Sequence, residues 1–318
     1  MGLLSSLFGK KEPQKEQQSK QEKKNFEILK YDGIRARNMR QLPYAIKCFE
    51  QALTIEDDIE TMQQLATAYM ESDRIDDARL MLDKLAEKDP SNINTFLTLA
   101  NLCYLQEDYE SMENVCQKAL KLDDKSVGAY YLAGKASHAM RNDIQAIVML
   151  TKAIQNQEDY TSAYLLRAEV LWGMHQFKEA MDDINVILAQ NAVAEEEDAL
   201  ILKGKILAAT SRIEEAYECF DQILEINPFN EKAYILKGEM FIEQKKFDQA
   251  TELYTEAIEL MPQNAHFYQE RGRARLLEGD KDGSVEDMKK AIELNPDSEK
   301  SIDGNYDNFN TPAAGSIY

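Results

Sequence analysis

Metal binding and proton transfer would fall first to the three histidines, His138, His175 and His266. They lie far apart and form no H-x-x-x-H or H-E-x-x-H pair, the spacing that sets two imidazoles on one helical face. The four cysteines, Cys48, Cys103, Cys116 and Cys219, form no C-x-x-C pair. They read as buried thiols of a chain kept in a reducing compartment. The densest acidic run, Glu195-Glu196-Glu197-Asp198, sits where a helix is expected to begin. Carboxylates at that place complement the helix dipole, which is a better account of them than a metal. The sequence holds no phosphate-cradling glycine loop and no nucleophile elbow. The expectation is a chain with no catalytic residue, metal ligand or cofactor, and not an enzyme.

Recognition is the chemistry that remains, and the elements that would position it repeat. Taking Phe26, Ile59, Ile93, Val127, Thr161, Glu197, Glu231 and Ala265 as first residues, the steps are 33, 34, 34, 34, 36, 34 and 34 residues. A constant period of this length marks a solenoid in which each unit buries its apolar face on its neighbours. Position 8 of every repeat is small: Gly33, Ala66, Ala100, Gly134, Ala168, Gly204, Gly238 and Gly272. Position 20 is mostly alanine, with Met112 and Ser284 as departures. Position 24 is large and apolar in most repeats, as in Phe49, Leu82, Leu150, Ile184, Phe220, Tyr254 and Met288. Apolar residues at 4, 7, 8 and 11 make one helical stripe, and those at 20, 24 and 27 a second. Short polar turns such as Glu71-Ser72-Asp73-Arg74 join them, so the two helices are antiparallel neighbours. Pro90, Pro228, Pro262 and Pro296 at position 32 stop the second helix.

This pattern resembles the tetratricopeptide repeat over roughly residues 26–298, best in Leu200, Gly204, Ala216, Phe220, Pro228 and then Tyr234, Gly238, Ala250, Tyr254, Pro262. The resemblance implies an all-α, right-handed superhelical solenoid of about eight helix pairs, with positions 2, 5, 9, 12 and 13 of the first helices facing a concave groove. Position 5 then supplies Leu97, Tyr131, Leu165, Ile201 and Ile235, and position 12 supplies Tyr104, His138, Trp172 and Ile242. Asn101 stands at position 9 of repeat three, followed by Lys135, Glu169, Lys205, Glu239 and Arg273, whose signs alternate. A half-open groove of aromatic and apolar groups suits an extended peptide or a partner helix. Tight packing between repeats is the alternative for the apolar strip. The alternating charges are expected to form a ladder of ion pairs along the inner wall, with donors and acceptors for a bound peptide backbone as their functional reading. The Hsp70/Hsp90 carboxylate clamp of some family members is disfavoured. Lys30 occupies its position 5, but Ile34 and Gln64 stand where two of its asparagines belong.

Net charge is −20, and residues 1–30, with seven lysines and four glutamates, carry +3 of it, leaving −23 on the remainder. So acidic an array repels a phosphate backbone and is not expected to bind nucleic acid. Solubility alone accounts for excess acid. The expected order is a flexible leader over 1–25, the array over 26–298 and a tail over 299–318. Leu3, Leu4, Leu7 and Phe8 can share one face of a short amphipathic segment, so any membrane contact is confined to residues 1–11. Gly2 with Ser6 meets the minimal myristoylation pattern, a short and unspecific one. Residues 12–25 read as a linker or as an exposed extension of the first helix. Tyr306, Phe309 and Tyr318 belong either to a disordered tail or to a cap on the last repeat. Cytoplasm is the default compartment. The functional expectation is a scaffold or adaptor for an unidentified protein or peptide. A self-associating structural array and a membrane-peripheral accessory subunit are the alternatives.

Overall fold

The computed structural model describes residues 14–190 and 196–296, and among these it contains helices and turns and no strand. In chain order the helices are α1 (Gln14–Asn38), α2 (Leu42–Ile55), α3 (Ile59–Glu71), α4 (Ile75–Lys88), α5 (Ile93–Leu105), α6 (Tyr109–Leu122), α7 (Val127–Ala139) and α8 (Asp143–Asn156). They continue as α9 (Thr161–Gly173), α10 (Phe177–Ala189), α11 (Glu196–Ala209), α12 (Ile213–Ile226), α13 (Glu231–Glu243), α14 (Phe247–Leu260), α15 (Ala265–Glu278) and α16 (Lys281–Leu294). Every even helix begins at position 17 of its repeat, and every odd helix except α1 and α11 at position 1. The array is an α-α solenoid of tetratricopeptide type. Residues 14–25 belong to α1, and 18–25 are exposed, so this part is an extension of the first helix rather than a linker. The segment Met1–Lys11, residue Glu195 and the tail from Ser298 lie outside the described residues.

One backbone device closes all eight hairpins. Position 15 adopts a left-handed conformation in every repeat: Arg40, Asp73, Glu107, Arg141, His175, Ser211 and Lys245 have φ between 58° and 62°, and Gly279 has 102°. The next amide then donates to the carbonyl five residues back. Asp108 N bonds Cys103 O at 2.9 Å and Lys246 N bonds Phe241 O at 2.8 Å, for example. This is the Schellman closure, which satisfies carbonyls orphaned at the end of the odd helix.

Small residues at position 8 let the paired helices cross closely. A Cβ placed on Gly204 would stand 2.7 Å from the Phe220 ring, and one on Gly33 would stand 2.5 Å from Phe49. Aromatic side chains at position 24 (Phe49, Phe220, Tyr254) occur only opposite glycine, whereas alanine at position 8 faces Leu82, Cys116 or Ile184. The Pro residues at position 32 each follow the end of an even helix, as the period predicts.

Chain contacts divide the protein into two compact blocks, Met1–Glu158 and Asp159–Tyr318. In the first, α1 touches α3 and α5 touches α7; in the second, α9 touches α11 and α13 touches α15. Even helices within a block do not approach one another comparably. The odd helices therefore form the inner layer of each stack.

Several charged groups inside these layers are paired. Arg167 grips Asp183 through both oxygens at 2.8 and 2.6 Å, and Arg271 grips Asp287 at 3.0 and 2.6 Å. Both pairs join positions 7 and 23 of one repeat, and Arg275 adds a third bond to Asp287 at 2.9 Å. Between repeats, Lys30 is buried and bonded to Asp58 at 3.0 Å and Glu60 at 2.6 Å. Arg79 reaches Asp108 and Gln106, each at 2.7 Å. The four cysteines are free and buried, and burial pushes the Cys116 thiol up to about 12. No helix among the described residues is long and apolar enough to cross a membrane.

Candidate functional site

The residues singled out for recognition all fall on odd helices. Leu97, Asn101 and Tyr104 stand on α5, and Tyr131, Lys135 and His138 on α7, within the first block. Leu165, Glu169 and Trp172 stand on α9, Ile201 and Lys205 on α11, Ile235 and Glu239 on α13, and Arg273 on α15, within the second. Each block thus presents its own inner wall.

On the first wall Leu97, Tyr104 and Tyr131 are half-buried and packed against the core. Lys135 Nζ lies over the Tyr104 ring at 3.6 Å from its centre, and Tyr104 meets Tyr109 at 5.8 Å. A cation over a ring face is attracted by its quadrupole. Burial alone pushes the Lys135 ammonium below its ordinary value. Asn101 is exposed and donates to Leu97 O at 3.0 Å. His138 Nδ1 is 2.8 Å from Asp143, so one ring nitrogen is occupied at the start of α8.

On the second wall Leu165, Trp172 and Ile235 are half-buried, and the Trp172 ring tilts against Phe177 at 5.2 Å. Ile201 differs. It is 4% exposed and belongs to the core of its block, as does Ile242 at 7%. Both sit in the packing that was the alternative for the apolar strip, although Ile235, one repeat on from Ile201 at position 5, keeps exposed surface.

The alternating charges do not close into a ladder where their partners are described. Lys135 rests on Tyr104, and Arg273 pairs with Glu270 of its own helix at 3.3 Å. Lys205 and Glu239 are half-buried, and no ion pair within 4.0 Å joins them among the described residues. Burial and the like charge of Lys232 push the Lys205 ammonium down, against the pull of Glu169 and Glu239. Burial and Glu270 push the Glu239 carboxyl up, against Arg273.

The acidic run near residue 197 has a structural task. Glu196, Glu197 and Asp198 form the first turn of α11, and Glu197 takes hydrogen bonds from Asn227 at 3.2 Å and Asn230 at 2.5 Å. Asn230 in turn caps α13 through Ala233 N. Among the described residues no group of three or more His, Cys, Asp or Glu is arranged to hold a metal. The clamp-position lysine, Lys30, is consumed by Asp58 and Glu60.

Sequence reading missed the buried Arg167–Asp183 and Arg271–Asp287 pairs. Arginine at position 7 with aspartate sixteen residues later was a readable signal, set against the leucine that the repeat pattern expects there.

Known proteins agree with this geometry. The profile of the anaphase-promoting complex, cyclosome, subunit 3 matches residues 71–153. Tetratricopeptide repeat profiles match residues 197–230 and 235–299. Anaphase-promoting complex subunit 7 of Mus musculus is 22% identical over 211 residues, which make up 65% of this chain and 31% of that protein. The chain therefore spans less than a third of that relative's length. A crystal structure of a tetratricopeptide repeat protein from Parabacteroides merdae has a TM-score of 0.61 at 14% identity, covering 85% of this chain and 99% of that one. A chain of the APC/C hetero-tetramer Cut9–Hcn1 has a TM-score of 0.52 at 13% identity, covering 80% and 50%. At such identities the two structures speak to the fold alone. Helix pairs in a common register, closed by one turn type and matched by these repeat profiles, place the chain in the tetratricopeptide repeat family.

Proposed function

We propose that the protein is a non-catalytic interaction scaffold that holds an extended peptide or partner helix against the inner walls of its stacks. The observation that supports this most is the mixture on the odd helices. Half-buried aromatic and apolar side chains alternate there with half-buried charges that lack a close counter-charge. Such charges gain most from a ligand that supplies the missing partner, and the rings give it apolar anchors. The names of the relatives add support, since one is a subunit of a multi-protein complex and one neighbour was solved within a hetero-tetramer. Residence in a larger assembly is part of this reading.

The test is selection of a random peptide library on the full chain, with a Tyr131→Ala/Trp172→Ala variant as comparison. The reading predicts convergent sequences that bind the parent and bind the variant at least tenfold more weakly, at unchanged helical content. Failure to select any sequence, together with concentration-dependent growth of particle size in light scattering, favours the self-associating array instead.

A further inference from the structure

The inner wall of the second block carries charge in a definite order. Several buried or half-buried charges meet a counter-charge at hydrogen-bond distance, as Lys30, Arg79, Arg167 and Arg271 do. Among the described residues, half-buried Lys205 on α11 and Glu239 on α13 have no ion pair within 4.0 Å. Burial first, then the like charge of exposed Lys232 at position 2 of the next repeat, pushes the Lys205 ammonium down. The opposing acids there are Glu169 on α9 and Glu239 on α13. One repeat further, Glu239 faces Glu270 and Glu243, with Arg273 and His266 as the opposing cations. Glu270 is already engaged by Arg273 at 3.3 Å and lies 3.9 Å from His266, which leaves Glu239 as the carboxylate without a close partner. A half-buried charge held without a close partner loses hydration and gains little in return. The wall therefore has a cationic spot at Lys205 and Lys232 and an anionic spot at Glu239.

We propose that this wall takes a peptide segment bearing one acidic and one basic side chain about three residues apart, the acid against Lys205 and Lys232 and the base against Glu239. The spacing takes the ~10 Å separation of packed helices as the step from α11 to α13, which an extended chain advancing ~3.3 Å per residue covers in about three residues. The inference rests on the groove reading above and adds to it the charge order of the ligand. Ile235, half-buried at position 5 of α13, offers apolar contact to the residues between the two charges.

The probe is an array of ten-residue alanine–serine peptides, acetylated and amidated. Each carries one glutamate and one lysine, separated by one to five positions, in both orders. The full chain should be retained best at a separation near three and in one order, at least tenfold above peptides with glutamine in place of glutamate. A Lys205→Glu/Glu239→Lys variant should prefer the opposite order. Should that exchange unfold the chain, Lys205→Met and Glu239→Gln replace it, each expected to lose about tenfold in retention at a melting temperature no lower than the parent's. Retention that ignores spacing and order, no retention of any array peptide, or an unaltered preference in the exchanged variant overturns the proposal. Library peptides that bind the inner helices without any charge pair would leave the groove reading standing and sink this one. Absence of binders from both library and array would sink both.

Discussion

Glycine at position 8 shows at the level of single residues how the repeat pattern encodes packing. The Phe220 ring fills the space where a Gly204 Cβ would stand, so Gly204→Ala should destabilise the chain by ~1–3 kcal/mol through overpacking, less the ~1 kcal/mol that alanine gains in helix propensity. Combining it with Phe220→Leu should show a favourable coupling of ~1 kcal/mol or more in denaturant melts, because repeat two already pairs Ala66 with Leu82. Removing the carboxylate of Asp287 leaves Arg271 and Arg275 without their shared partner, and Asp287→Ala should cost ~3–5 kcal/mol in the same assay. Two carboxyls should answer pH with opposite signs. Burial first, then Glu270, holds Glu239 above its ordinary 4.5, so its ionised form costs stability at neutral pH, and that cost fades as pH falls through the raised value towards 4.5. Glu239→Gln should therefore be at least as stable as the parent at pH 7, with the difference closing on acidification. Burial opposes ionisation of Asp58 too, but bonds from Thr61 and Lys30 outweigh it and hold the carboxyl below 3.8. Its contribution is present above 3.8 and is lost as pH falls through the lowered value, so an Asp58→Asn variant should be the less stable one at pH 7.

The turn at position 15 is the device that the elements share. Seven of its eight occupants are L-residues with positive φ, a conformation that costs them roughly 1–2 kcal/mol each. Ser211→Gly or Lys245→Gly should stabilise the chain by ~0.5–1 kcal/mol once the added freedom of the unfolded glycine is subtracted. Gly279→Ala, at φ 102°, should destabilise it. Helix ends, crossing residues and proline stops were legible in the sequence because packing imposes the same side-chain demand in each repeat. Position 15 was not. Its demand is on the backbone, and side chains as different as Arg40, Asp73, His175 and Ser211 meet it at modest cost. The candidate wall was legible only as a set of positions. Ile201 and Ile235 share position 5, yet one is buried and the other half-buried, since exposure depends on neighbouring side chains in space. The expected ladder of charges failed for the same reason at Lys135, which found the Tyr104 ring.

Across the whole molecule, function in a repeat array depends on which layer of helices meets a partner. Within each block odd helices touch in pairs, α1 with α3, α5 with α7, α9 with α11 and α13 with α15, and odd helices carry the half-buried rings and unmatched charges, while helices such as α12 and α14 turn acidic side chains outward. Hydrogen–deuterium exchange of the full chain, alone and saturated with its best selected peptide, tests this division directly. The account predicts added protection concentrated in the odd helices of whichever block holds the peptide, with the outward turns of the even helices unchanged. Protection confined to the even helices, or to the exposed extension of α1, would contradict it.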